Sequence, residues 1–335
     1  MTDGSYQCGN PSCHAPLLKC VNYAQFDVCN RCVVLPPAGS GAVAEALCDC
    51  CRFNNTIPDL TVVGNQQKWA RLEGAKRRLL YDLTSRGLPF GTVADGFNPA
   101  LGFDFKGDVL PVNNRMHNLD DVEKVYTGHD EGLITINVIE ADDVERERAR
   151  VSLGEPQRTL LGHFRHEIGH YYWDLLVKNR CEAECVAVFG DHNSPDYETA
   201  LANYYQNGAP ANWPENFISA YATMHPWEDF AETWLTYLIL CSEYDTAMNV
   251  GFLGNGATTQ PTLSDMVVEC QKLSVALNEM NRSIGLMDAM PKPIVAPVVR
   301  KLEFIHNLVQ NSRQYSRPLP ESQPATPPAT SASIV

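Results

Sequence analysis

Residues 156–177 read PQRTLLGHFRHEIGHYYWDLLV, and within them stand His166, Glu167 and His170. Residues four apart lie on one face of a helix, so two imidazoles at this spacing can reach a single Zn²⁺. Glu167 follows the first histidine and projects beside the metal, where a carboxylate can take a proton from a water held there. The stretch is long and largely apolar, and only glycine, at Gly162 and Gly169, interrupts it. Pro156 suits the first position of a helix running to about Val177. The bland alternative is a buried helix whose histidines are merely hydrogen-bonded.

A catalytic zinc usually takes three protein ligands, so a third is sought downstream, in SAYATMHPWEDFAETWLTYL. Glu228 and Glu232 stand four apart on an expected helix that Pro226 opens. Glu228 is the expected metal ligand. Glu232 can accept a hydrogen bond from a ligand histidine and orient its ring. His225, just before the proline, is a competitor, as are Asp229, on a different helix face, and Glu232 itself. Catalysis also needs a donor for the oxyanion of the tetrahedral intermediate. Tyr221, seven residues before Glu228, is the leading candidate and His225 the second. His163, one turn before His166, is expected to support the site rather than crowd the metal.

Outward from this core, a helix is expected at about 66–86. Trp69, Leu72, Leu79, Leu80 and Leu83 share a face there, and Gly87 and Pro89 supply the stop. GLITINVI (132–139) is the strongest strand in the chain. It is either an exposed edge that holds an extended peptide or an interior strand of a mixed sheet. ADDVERERAR follows as a charged helix or loop. Two or three helices are expected from 195 to 240, then helical spacing over 262–284 and 294–311. The last 20 residues, rich in Pro, Ser, Thr and Ala, are expected to be disordered.

Composition narrows the class. The chain has 335 residues, 44% of them hydrophobic and 20% charged, in the range of soluble globular proteins. It has no apolar run long enough to span a bilayer and no secretory pattern at its start, so a cytoplasmic location is expected and no membrane partner. A net charge of −14 argues against nucleic-acid binding through the overall field.

Eight of the 12 cysteines fall within the first 51 residues. In a reducing compartment such a cluster holds metal more readily than disulfides. Residues 1–58 are therefore expected to form a small zinc-stapled module, 59–315 the catalytic domain and 316–335 a tail. One ligand set takes Cys8, Cys13, Cys29 and Cys32. Another takes Cys20, Cys29, Cys48 and Cys51, leaving Cys8, Cys13 and Cys32 with Cys50 or His14. Cys181, Cys185, Cys241 and Cys270 read as ordinary small core residues.

Five segments, CRFNNTIPDL, TGHDEGLITINVIEADD, GEPQRTLLGHFRHEIGHYYWDLL, FGD and FISAYATMHPWEDFAETW, resemble the bacterial zinc-binding metallopeptidases that join an N-terminal zinc ribbon to a gluzincin-like domain. The resemblance runs from about Cys20 to Leu240. It implies an α+β, zincin-like fold: a mostly helical catalytic domain with a small mixed sheet, plus the ribbon. It implies His166, His170 and Glu228 as ligands of one catalytic Zn²⁺ and Glu167 as the base. It also favours Cys20, Cys29, Cys48 and Cys51 as one structural zinc set, with one or two structural ions in the module. The chain departs from the family where it has Cys8-x4-Cys13 in place of a Cys-x-x-Cys pair. The expected partner is a peptide or protein substrate; the alternative is a non-catalytic zinc-binding adaptor of the same fold.

Overall fold

Trp69, Leu72, Leu79, Leu80 and Leu83 form the buried stripe of a helix, α1 (Asn65–Arg86), which Gly87 ends at φ 65°. Only a residue without a side chain adopts that left-handed conformation at little cost. A computed structural model of the chain describes residues 17–20, 23–29, 50–108, 125–153, 158–253, 258–259, 261–288 and 293–312. Near the start, β1 (Leu17–Cys20) and β2 (Tyr23–Cys29) pair as an antiparallel hairpin. The remaining described elements form a mostly helical α+β domain.

Four short strands make its sheet: β3 (Asn54–Thr56), β4 (Gly102–Lys106), β5 (Gly128–Asp130) and β6 (Leu133–Asn137), in the order β3-β4-β6-β5. β3, β4 and β6 run parallel, and β5 returns antiparallel to β6. Glu131 (φ 43°) and Gly132 (φ 95°) form the two-residue turn between β5 and β6, and positive φ at both positions matches the twist of a tight hairpin. The GLITINVI strand is therefore interior, paired on both sides. The edge role falls to β5, a three-residue strand that no run of apolar residues announces. Cys50, Cys51 and Phe53, just before β3, are buried, and β3 pairs with β4 at one side of this sheet.

The helices are α2 (Asp143–Leu153), α3 (Leu160–Tyr172), α4 (Glu182–Phe189), α5 (Tyr197–Asn207), α6 (Pro226–Asn249), α7 (Leu263–Ser283) and α8 (Ala296–Asn311). α3 starts later than its proline suggested: Thr159 caps it by accepting the Gly162 N–H at 3.0 Å, and Pro156 lies outside the described residues. A π-helical turn, Trp173–Val177, carries the backbone on to the expected end. Of the four later cysteines, Cys185, Cys241 and Cys270 are buried and Cys181 is partly so.

Two features place α3 against α6. First, Arg165 donates to Asp82 Oδ2 through Nε at 3.1 Å and Nη2 at 2.7 Å, while Ser242 donates to the other Asp82 oxygen at 2.8 Å. A buried guanidinium that holds one carboxylate oxygen with two nitrogens is fixed in orientation as well as distance, so α1 and α6 together set the roll of α3 at the residue before His166. Second, Gly169 has no side chain where α3 meets α6. A Cβ there would lie 2.9 Å from Ala231 Cα and 3.1 Å from Trp234 Cβ.

Alanine normally stabilises a helix interior over glycine by about 0.5–1 kcal/mol. Here the sign reverses, because the obstructing atoms are backbone and a core tryptophan. Gly169→Ala is expected to cost about 1–3 kcal/mol as an overpacked contact, read as a lower denaturation midpoint. A variant as stable as the wild type would show that the two helices part freely.

Candidate metal centre

The close approach of α3 and α6 brings three side chains to one point. His166, His170 and Glu228 each offer a ligand atom, and these atoms lie within 4.8 Å of one another. Glu228 Oε2 is 2.9 Å from His166 Nε2 and 3.5 Å from His170 Nε2. The same oxygen is buried and takes no well-formed hydrogen bond. A buried carboxylate oxygen facing two imidazole nitrogens is costly unless something positive lies between them. Two histidine nitrogens and a carboxylate oxygen are the donor set of catalytic zinc sites. The residues therefore fit a zinc ion.

Charge supports the same fit. Burial alone raises the Glu228 carboxyl, but the two imidazoles beside it, His170 foremost, hold it well below the usual carboxylate range. Burial works against protonation of His166, yet Glu228 and Glu232 raise its imidazole well above the ordinary value. A divalent cation held by His166, His170 and Glu228 would replace the proton on the Glu228 side of the ring, with Glu232 still on Nδ1.

Each histidine is oriented differently. His166 Nδ1 lies 2.7 Å from Glu232 Oε1, the contact expected of a carboxylate that fixes the ring. His170 is packed between rings instead, with Trp227 at 4.0 Å and the β5 residue His129 at 6.3 Å between centroids. His129 itself is fully buried. Its Nε2 accepts the Gly132 N–H at 2.9 Å, which ties the β5–β6 turn to the wall of the site.

The competing ligands are all engaged elsewhere. His225 caps α6: its Nδ1 accepts the Trp227 N–H at 3.2 Å, and its Nε2 meets the His192 carbonyl at 3.1 Å. Asp229 points to the far side of α6 and pairs with Lys301 of α8 at 2.6 Å. Burial pushes its carboxyl up to about 6 against the pull of that lysine. Glu232 is turned to the outer nitrogen of His166.

Glu167 lies beside the three converging groups and is buried. Burial raises its carboxyl, opposed by the charges of His166 and His170. Tyr221 begins a short 3-10 turn, with its ring 6.0 Å from that of His166. The sequence reading missed Tyr197 of α5, whose hydroxyl donates to Glu228 Oε1 at 2.8 Å. Nothing in the local sequence points to it beyond Asp196, which caps α5 by accepting the Thr199 N–H.

His163 stays out of the ligand group, with its Nδ1 3.3 Å from Glu140 Oε2. Burial, reinforced by the charges of Arg158, His166 and Arg146, pushes its imidazole down to about 3. The unfolded chain, with an ordinary histidine near 6.5, binds this proton first. Stability from a neutral His163 is thus present above about pH 6.5 and is lost as pH falls toward 3. Between about pH 6 and 4, His163→Gln is expected to flatten the slope of unfolding free energy by about 1.4 kcal/mol per pH unit. Denaturant titration of metal-free protein reads this directly, and parallel slopes for variant and wild type would refute it.

The cysteine expectations are only partly open to inspection. Cys8, Cys13, Cys32 and Cys48 lie outside the described residues, as do His14 and the tail 316–335. Cys20 and Cys29 end the strands of the N-terminal hairpin. Cys51 is buried in the domain core, and its sulfur accepts from Arg77 Nη2 at 3.7 Å.

Comparison with known proteins gives this geometry a context. Residues 65–308 match the family described as "Putative zinc-binding metallo-peptidase". Uncharacterized proteins of Mycobacterium tuberculosis and Mycobacterium bovis are 39% identical over 271 residues, covering 78% of this chain and 76% of theirs. No solved structure matches. No helix among the described residues is long and apolar enough to cross a membrane.

Proposed function

The chain belongs to this zinc-binding metallo-peptidase family, and from that premise we propose that it hydrolyses peptide bonds at one zinc ion held by His166, His170 and Glu228. The observation that carries the reading is the convergence of those three ligand atoms within 4.8 Å, with Glu232 placed on the outer nitrogen of His166. A zinc ion there supplies polarisation of the scissile carbonyl and a more acidic water.

The chain's own groups do the rest. Glu167 accepts the proton of the attacking water and passes it to the leaving amine. A carboxyl raised by burial suits both halves of that task, since it gives up its proton more readily at neutral pH than an ordinary base of high pKa and holds it better than an exposed carboxylate. Tyr221 donates to the oxyanion of the tetrahedral intermediate. Glu232 keeps the His166 ring aimed. β5, the sheet edge among the described residues nearest His170, would offer its outer side to an extended peptide as an added strand.

Metal removal tests this reading. Dialysis against a strong chelator is expected to abolish cleavage of an unfolded protein such as casein, and one equivalent of zinc returned to the domain is expected to restore it. Cleavage that survives loss of the metal would contradict a zinc hydrolase.

A further inference from the structure

The two oxygens of Glu228 have different surroundings. Oε2 faces the imidazole nitrogens, while Oε1 accepts the Tyr197 hydroxyl at 2.8 Å. Tyr197 is the first residue of α5 and is held by packing: its ring meets that of His225 at 5.3 Å and that of Trp227 at 6.0 Å, both edge-on. His225 and Trp227 belong to the start of α6, next to Glu228, so the phenol is fixed to the same short segment as the carboxylate it grips. Ionised Glu228 can only accept, so the single Tyr197 proton goes to Oε1.

We propose that Tyr197 is a positioning residue that confines Glu228 to one metal-ligating oxygen. The inference rests on the zinc reading above. A carboxylate can bind a metal through one oxygen or two, and a zinc site that keeps an open position for substrate needs the former. The hydrogen bond to Oε1 removes the second oxygen from competition and stops the side chain from turning about its last bond.

Tyr197→Phe keeps the ring between His225 and Trp227 and removes only the hydroxyl. In the full-length protein, its zinc affinity, measured by competition with a chelating dye well below the melting transition, is expected to fall about 10- to 100-fold. Cobalt(II) substituted at the site reports coordination number, because its visible bands weaken as ligands are added. The bands, taken as the difference from Glu228→Ala to remove any cobalt bound by cysteines, are expected to be weaker in Tyr197→Phe than in the wild type. Equal affinity and an unchanged cobalt spectrum would overturn the role of Tyr197 while leaving the zinc site standing. If instead wild type and Glu228→Ala bind cobalt identically, the zinc reading itself fails.

Discussion

Replacing Glu167 with Gln is expected to lower peptide hydrolysis by about 10²–10⁴-fold while the protein keeps its zinc and its fold. The two side chains have nearly the same shape, so the buried position beside His166 and His170 is preserved. The amide cannot accept the proton that the attacking water must lose. Glu167 is not among the three groups whose ligand atoms converge, which is why metal content should not follow activity down. Its raised carboxyl adds a second signature. The wild-type rate should fall on the acid side as Glu167 becomes protonated, and that limb should disappear from the small residual rate of the variant. A Gln variant that turns over at the wild-type rate would remove Glu167 from the mechanism.

The parts of this site legible in the sequence are those fixed by helix periodicity. His166 and His170 share a face because they are four apart, and Glu228 and Glu232 do so for the same reason. Pro226 marks where the second helix begins. Asp229 was separable from Glu228 because one residue along a helix is a turn of roughly 100°, and the structure shows it facing Lys301 instead. The α+β class, with a mostly helical domain and a small mixed sheet, comes instead from the family resemblance that the same segments carry.

What periodicity does not carry is the pairing of distant segments. The run GLITINVI reads clearly as a strand, yet whether it lies inside the sheet depends on β4 and β5, which are too short to have a pattern of their own. Tyr197 reaches Glu228 across 31 residues through loops with no repeat. Asp82 and Arg165 are 83 residues apart, and both read as ordinary charged positions on amphipathic helices until they are seen paired in the interior. Gly169 read as a weak point in the helix. Its meaning appears only with Ala231 opposite, where the missing side chain is what allows Glu228 to approach the histidines.

Glu228→Ala has the other large expected effect, and it bears on the centre of the account. Removing this side chain takes away one of three ligands and leaves two histidines, of which only His166 has a carboxylate on its outer nitrogen. The neighbouring side chains of ligand type are occupied: Asp229 by Lys301, and His225 by the cap of α6 and the His192 carbonyl. Zinc affinity at the site is therefore expected to fall by more than the roughly 10–100-fold typical of losing a supporting contact. The one site is all that Glu228 serves, so the change should be a step of one ion whatever the N-terminal cysteines hold. The direct measurement is zinc content per chain after exhaustive dialysis, wild type against Glu228→Ala. The variant is expected to hold one ion fewer; an unchanged zinc content would place the metal somewhere other than His166, His170 and Glu228.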